Sequence, residues 1–152
     1  THSMGGILAR QYLQNHKLPQ GSRVVMLSPP NQGSDLSKKF HDSSWYQWLV
    51  GPAGASLTQD DSGIINQLLE IDEPVGVIAA YRSWSLWPES WLSSPNDGTV
   101  SVKSMMLKEM DDVILVNSGH ATMRYKEKIH HQIRHFIKNG YFDHQVLQAC
   151  RN

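Results

Sequence analysis

Three short apolar runs punctuate this chain: Arg23 to Ser28 (Arg-Val-Val-Met-Leu-Ser), Pro74 to Tyr81 (Pro-Val-Gly-Val-Ile-Ala-Ala-Tyr) and Asp112 to Asn117 (Asp-Val-Ile-Leu-Val-Asn). Each reads as a buried strand, because branched and small apolar side chains run together without polar interruption. The segments between them carry helical spacing. Ile7, Leu8, Tyr12 and Leu13 predict an amphipathic helix from Met4 to about Gln14, Ile64 to Leu69 reads as weakly helical, and Val102 to Met110 as a short helix. Met123, Ile129, Ile133, Phe136 and Ile137 trace one apolar stripe over a helix from about Thr122 to Lys138, stopped by Asn139-Gly140. Buried strands alternating with helices imply a parallel sheet covered on both faces, an α/β architecture.

The breaks support the same order. Asn15 to Ser22 is a polar loop with Pro19 and Gly21, and Pro29-Pro30 stops the first strand by removing two ladder donors. Residues 35 to about 73 carry Trp45, Tyr46, Trp48, Leu49 and Val50, then Gly51-Pro52-Ala53-Gly54, and read as an aromatic-rich insert over the sheet edge. A second aromatic loop holds Trp84, Trp87, Pro88 and Trp91. At 152 residues the chain fits one domain, and no apolar stretch is long enough to span a bilayer. Lys plus Arg and Asp plus Glu balance at 14 each, so no net field draws nucleic acid or an anionic membrane surface. The single Cys150 excludes an internal disulfide framework.

Against this frame the first six residues, Thr1-His2-Ser3-Met4-Gly5-Gly6, read as a strand-to-helix turn that exposes one serine, with small residues after it so that the helix starts close to the turn. Ser3, Asp97 and His120 all fall at the ends of predicted strands, where an open parallel sheet gathers its ligands and catalytic groups. A serine hydroxyl is a weak nucleophile until a histidine removes its proton, and that histidine needs a carboxylate to fix its tautomer. Each residue also has an ordinary structural reading. Ser3 is a fitting helix N-cap, Asp97 sits in the strong turn sequence Asn96-Asp97-Gly98, and His120 reads as a loop histidine. Asp60, Asp61, Asp111 and Asp112 are rival acids, none joining a strand end to a turn so well.

With these residues in this order the chain resembles the α/β-hydrolase family, more closely its bacterial lipase and esterase branch with the His-Ser-Met-Gly-Gly form of the nucleophile elbow. Thr1 to Gly6 resembles the elbow, Leu27 to Ser34 is similar to the Pro-Asn-x-Gly-Ser loop of such lipases, Asn96 to Val100 resembles the acid-bearing turn, and Gly119-His120 the histidine loop. The first glycine of the Gly-x-Ser-x-Gly pattern is Thr1 here. The resemblance implies a partial α/β-hydrolase fold, with residues 1–152 as the C-terminal portion of one domain. It implies Ser3 as nucleophile, His120 as general base and then acid, Asp97 as orienting carboxylate, and the Met4 backbone N–H as oxyanion donor.

The implied activity is hydrolysis of carboxylic esters through an acyl-serine intermediate, with small-molecule or lipid esters as substrates. An acyltransferase or thioesterase using the same three residues, or a non-catalytic fragment serving as an assembly or binding module, are the other readings. The family places further strands and a second oxyanion donor ahead of the elbow. The expectation is therefore that the N-terminal portion, with any targeting sequence, is missing, and that this portion or a second copy of the chain covers the edge of the strand Arg23 to Ser28. His2, Asn31, Trp45 and Trp48 are candidates for the substrate pocket. No cofactor is expected. His131 and His135 have the spacing of two metal ligands, but no Glu follows the first and no third ligand is evident, so no metal is expected either.

Overall fold

The computed structural model describes residues 1–33, 64–82, 88 and 90–145. The elements are α1 (Met4–Leu13), β1 (Val24–Leu27), α2 (Ile64–Gln67), β2 (Val75–Tyr81), α3 (Val102–Met105), β3 (Asp112–Asn117), a 3-10 turn at Met123–Tyr125 and α4 (Glu127–Asn139). The aromatic part of the insert, with Trp45 and Trp48, and the loop residues Trp84 and Trp87 lie outside the described residues. No helix among the described residues is long and apolar enough to cross a membrane.

The three strands form one parallel sheet in the order β1-β2-β3. β1 matches β2 from Val24 opposite Val75 to Leu27 opposite Ile78, and β2 matches β3 from Gly76 opposite Asp112 to Tyr81 opposite Asn117. Helices flank the sheet. On one face Val25, Leu27, Ile78, Ala80, Ile114 and Val116 pack with Met123, Ile129, Phe136 and Phe142. On the other, Val24, Met26, Val75, Val77 and Ala79 pack with Ile71, Val100, Met105 and Leu107. The period-two alternation along β2 thus divides its side chains between two cores, and the strand is buried on both faces as its apolar run demands.

Departures from the expected elements have local causes. The run Asp112 to Asn117 reads as a buried strand, yet β3 is the sheet edge: Ile114 and Val116 are buried while Leu115 is 51% exposed. The helix expected over Thr122 to Lys138 is broken at Lys126, whose backbone is extended at φ −88°, ψ 121°. The Lys126 carbonyl there accepts from both Ile129 and His130 N–H, starting α4, and its ammonium donates to the Asn117 carbonyl at 2.8 Å. Gly140 closes α4 in the left-handed region, as the Asn139-Gly140 pair predicts. The helix expected to reach Met110 ends at Met105, because Asn31 and Gln32 side chains donate to the Met105 and Met106 carbonyls and Met106 turns extended.

The predicted stripe on α1 is also rearranged. Gly6, Ile7 and Arg10 are buried, while Leu8 and Tyr12 are more than half exposed. Tyr12, Ala9 and Leu13 instead line a groove of about 320 Å³, shared with Val24 and Val25 of β1 and with Ile133 and Ile137 of α4. That groove runs beside the outer edge of β1. Over the rest of that edge, Thr1 to Ser3 themselves pair with β1, with His2 in a parallel bridge to Leu27.

Candidate active site

Thr1 and His2 are extended and laddered onto β1: the Thr1 amine donates to the Val25 carbonyl at 2.8 Å, Leu27 N–H to the Thr1 carbonyl at 2.9 Å, and Ser3 N–H to the Leu27 carbonyl at 2.9 Å. The chain then reverses at Ser3, whose φ of 54° and ψ of −131° lie outside the regions that residues with a Cβ prefer. A backbone held there costs about 1–3 kcal/mol and survives only where its surroundings over-determine it. Here they do so through the Ser3–Leu27 bond on one side and the Gly6 N–H donating to the Ser3 carbonyl at 2.9 Å on the other. The small residues after the serine are unequal in importance. A Cβ on Gly6 would lie 2.8 Å from the Pro29 Cβ, whereas one on Gly5 would meet nothing closer than 3.6 Å.

A capping serine bends its hydroxyl back onto the helix N-terminus, but Ser3 makes no such bond. Its Oγ lies 2.9 Å from His120 Nε2, and His120 Nδ1 lies 2.6 Å from Asp97 Oδ2. With Nδ1–H donating to the carboxylate, which can only accept, Nε2 of the neutral ring is bare and accepts from the serine hydroxyl. The Met4 N–H, at the opening of α1, is taken by no described acceptor.

Asp97 is fully buried, in the loop between β2 and α3. Its Oδ1 accepts from the N–H groups of Thr99 at 2.9 Å and Val100 at 2.8 Å, which leaves Oδ2 for the histidine. One side chain thus holds the turn through Oδ1 and meets the histidine through Oδ2. Asn96 builds the turn from the other end, its Oδ1 accepting from Gly98 N–H at 3.0 Å. His120 follows β3, anchored where Ser118 N–H donates to the Tyr81 carbonyl. Its own N–H donates to the Asp97 carbonyl at 3.0 Å, so main chain and side chain bind the same residue. The imidazole remains 14% exposed, reachable from solvent at the rim of the sheet.

The remaining candidates go to different places. His2 donates from Nε2 to the His120 carbonyl at 3.0 Å, with the two rings 4.7 Å apart. Burial pushes the His2 pKa below its usual value; the bond to the His120 carbonyl and the charge of Asp97 oppose this, while His120 and Arg124 add to it. Asn31 is buried in the loop after β1, donating to the Met105 carbonyl at 2.9 Å, and its own carbonyl accepts from Arg10 at 3.1 Å. This makes Asn31 a tie from its loop to α1 and α3 in the described structure. Trp45 and Trp48 fall outside the described residues. His131 and His135 stand along α4 with ring centroids 6.2 Å apart, and no group of three or more His, Cys, Asp or Glu side chains suited to a metal occurs among the described residues.

Arg82 is a neighbour of the site that spacing does not reveal. A Cβ on Gly119 would lie 2.6 Å from Arg82 Nε and one on Gly98 3.6 Å from its Cζ, so this guanidinium fills the space between the two loops that carry Asp97 and His120. The glycine preceding His120 is the only trace of it in the sequence.

No family model matches the chain, and no curated protein matches it. Among solved structures it is similar to the Bacillus licheniformis lipase BlEst2 in mature form, with 22% identity and a TM-score of 0.58 over 78% of this chain and 56% of that one. The propeptide form of the same lipase aligns at 22% identity and a TM-score of 0.49, over 65% of this chain and 26% of that one. The chain thus spans little more than half the length of the mature lipase. What the two share is a fold, and three parallel strands flanked by helices form a partial lipase-like α/β arrangement in this chain.

Proposed function

We propose that this chain carries the catalytic residues of a serine hydrolase of the α/β-hydrolase type, acting on carboxylic esters. One observation supports this above all: a strained, uncapped serine whose Oγ lies 2.9 Å from an imidazole that a buried carboxylate orients at 2.6 Å. Ser3 attacks the ester carbonyl as its proton passes to His120 Nε2, forming a C–O bond and a tetrahedral oxyanion. The Met4 N–H and the positive end of α1 stabilise that oxyanion. His120 then gives its proton to the departing alcohol, leaving acyl-Ser3. A water deprotonated by His120 attacks the acyl carbon, and collapse returns the proton to Ser3 and releases the acid. Throughout, Asp97 stabilises the imidazolium and holds its tautomer.

The test is reaction of the 152-residue chain with a fluorophosphonate probe, which phosphonylates an activated serine. Labelling is expected in the parent and absent in Ser3→Ala and His120→Ala, while His131→Ala labels at the parent rate. Equal labelling of all four proteins would overturn the assignment.

A further inference from the structure

His2 precedes the serine and extends from the strand on the opposite side, yet both residues reach His120. The serine hydroxyl meets the tip of the imidazole and the His2 ring meets the histidine's own carbonyl at 3.0 Å. His120 is consequently held by four polar ties to two pieces of chain. Its N–H and Nδ1 bind the carbonyl and carboxylate of Asp97, and its carbonyl and Nε2 face the side chains of His2 and Ser3. The Asp97 ties fix the histidine relative to the acid turn. Among the hydrogen bonds of the described residues, those to His2 and Ser3 fix it relative to the elbow. The Ser3 contact must break and reform as its proton moves, so it cannot also serve as the fixed reference.

We propose that His2 is a positioning residue for His120: by donating its Nε2–H to the His120 carbonyl it sets the distance between the imidazole and the serine oxygen. This rests on the reading of Ser3 and His120 given above. The inference needs a proton on His2 Nε2, which the 3.0 Å contact with a carbonyl oxygen, an acceptor only, requires. A misplacement of about 1 Å at a reacting pair costs up to roughly a hundredfold in rate, so a single tie of this kind bears on turnover without contacting substrate.

Two substitutions separate the donor from the bulk: His2→Phe keeps a ring but no N–H, and His2→Gln places an amide N–H near the position of Nε2. The second-order rate of fluorophosphonate labelling should fall roughly tenfold in His2→Phe and recover to within about threefold of the parent in His2→Gln. The thermal midpoints of the two variants should be alike, since a purely structural contribution would follow stability and not the donor. Parent-like labelling of His2→Phe, with Ser3→Ala unlabelled, overturns the His2 proposal alone, as does failure of His2→Gln to recover when both variants melt together. Labelling of Ser3→Ala, or none of the parent, overturns the reading of the site instead. In that event a crystal structure of His2→Phe decides for His2: a Ser3 Oγ–His120 Nε2 separation widened from 2.9 Å supports the tie, and an unchanged separation overturns it.

Discussion

Asp97 divides its carboxylate between two tasks, and this makes a clean substitution possible. Asn in its place keeps an oxygen for the Thr99 and Val100 N–H groups but presents an amide N–H to His120 Nδ1, which then has to accept and leaves the proton on Nε2. Asp97→Asn is expected to retain the unfolding midpoint of the parent and to lose roughly 10³- to 10⁴-fold in labelling rate, measured in parallel by calorimetry and fluorophosphonate kinetics. Gly119→Ala should act differently. Its Cβ meets the Arg82 guanidinium, so the histidine loop shifts; a loss of about 1–3 kcal/mol in urea unfolding and slower labelling should appear together. His2 adds a pH dependence. Its folded pKa lies below the usual 6.5, so the unfolded chain binds the proton more readily, and stability falls as pH drops from about 6.5 toward the folded pKa. His2→Gln should remove that part of the slope, seen as a shallower decline of urea midpoints over the same range. That Ser3, Asp97 and His120 meet could be anticipated from the sequence because strand ends collect chemistry and each sits beside turn residues. The ties of His2 and Arg82 could not, since they join groups distant in the sequence, His2 to His120 and Arg82 to Gly98 and Gly119, with no periodicity to announce them.

At the scale of elements, the strands were legible to within a residue and the helices less so. A parallel strand's apolar run is continuous, but helix ends depend on who takes the free carbonyls. α3 stops where Asn31 and Gln32 claim two of them, a capture no local pattern encodes. β3 misled in another way: an apolar run does not reveal whether a strand is central or last in the sheet order, and among the described residues none covers Leu115 enough to bury it. β2 holds one glycine where the facing helix leaves no room. A Cβ on Gly76 would lie 2.6 Å from Phe136 and 2.7 Å from Phe142, rings that pack with centroids 4.8 Å apart. Gly76→Ala should therefore cost about 1–3 kcal/mol in urea unfolding despite alanine's lower backbone entropy in the unfolded chain. A stabilised variant would show that the two phenylalanines can move aside.

Across the whole molecule, order should be graded from the centre of the sheet outwards. β2 is paired on both sides and buried, so amide exchange in Val75–Tyr81 should be the slowest in the protein, with β1 and β3 exchanging sooner. Faster exchange in β2 than in β3 would contradict the sheet order. The same gradation divides the candidate site. The acid turn and the histidine loop follow β2 and β3, whose match runs over Gly76–Tyr81, while the serine is carried by Thr1 to Ser3 on β1, which meets β2 only over Val24–Leu27. Because Asp97 grips both the peptide N–H and the ring of His120, the two travel as a single rigid body. On warming, the seam that parts first is then between this body and the serine. Loss of the Ser3–His120 contact would begin as a hinge-like separation with the imidazole still held by Asp97, and cooling would let the hydroxyl return to a partner already in position.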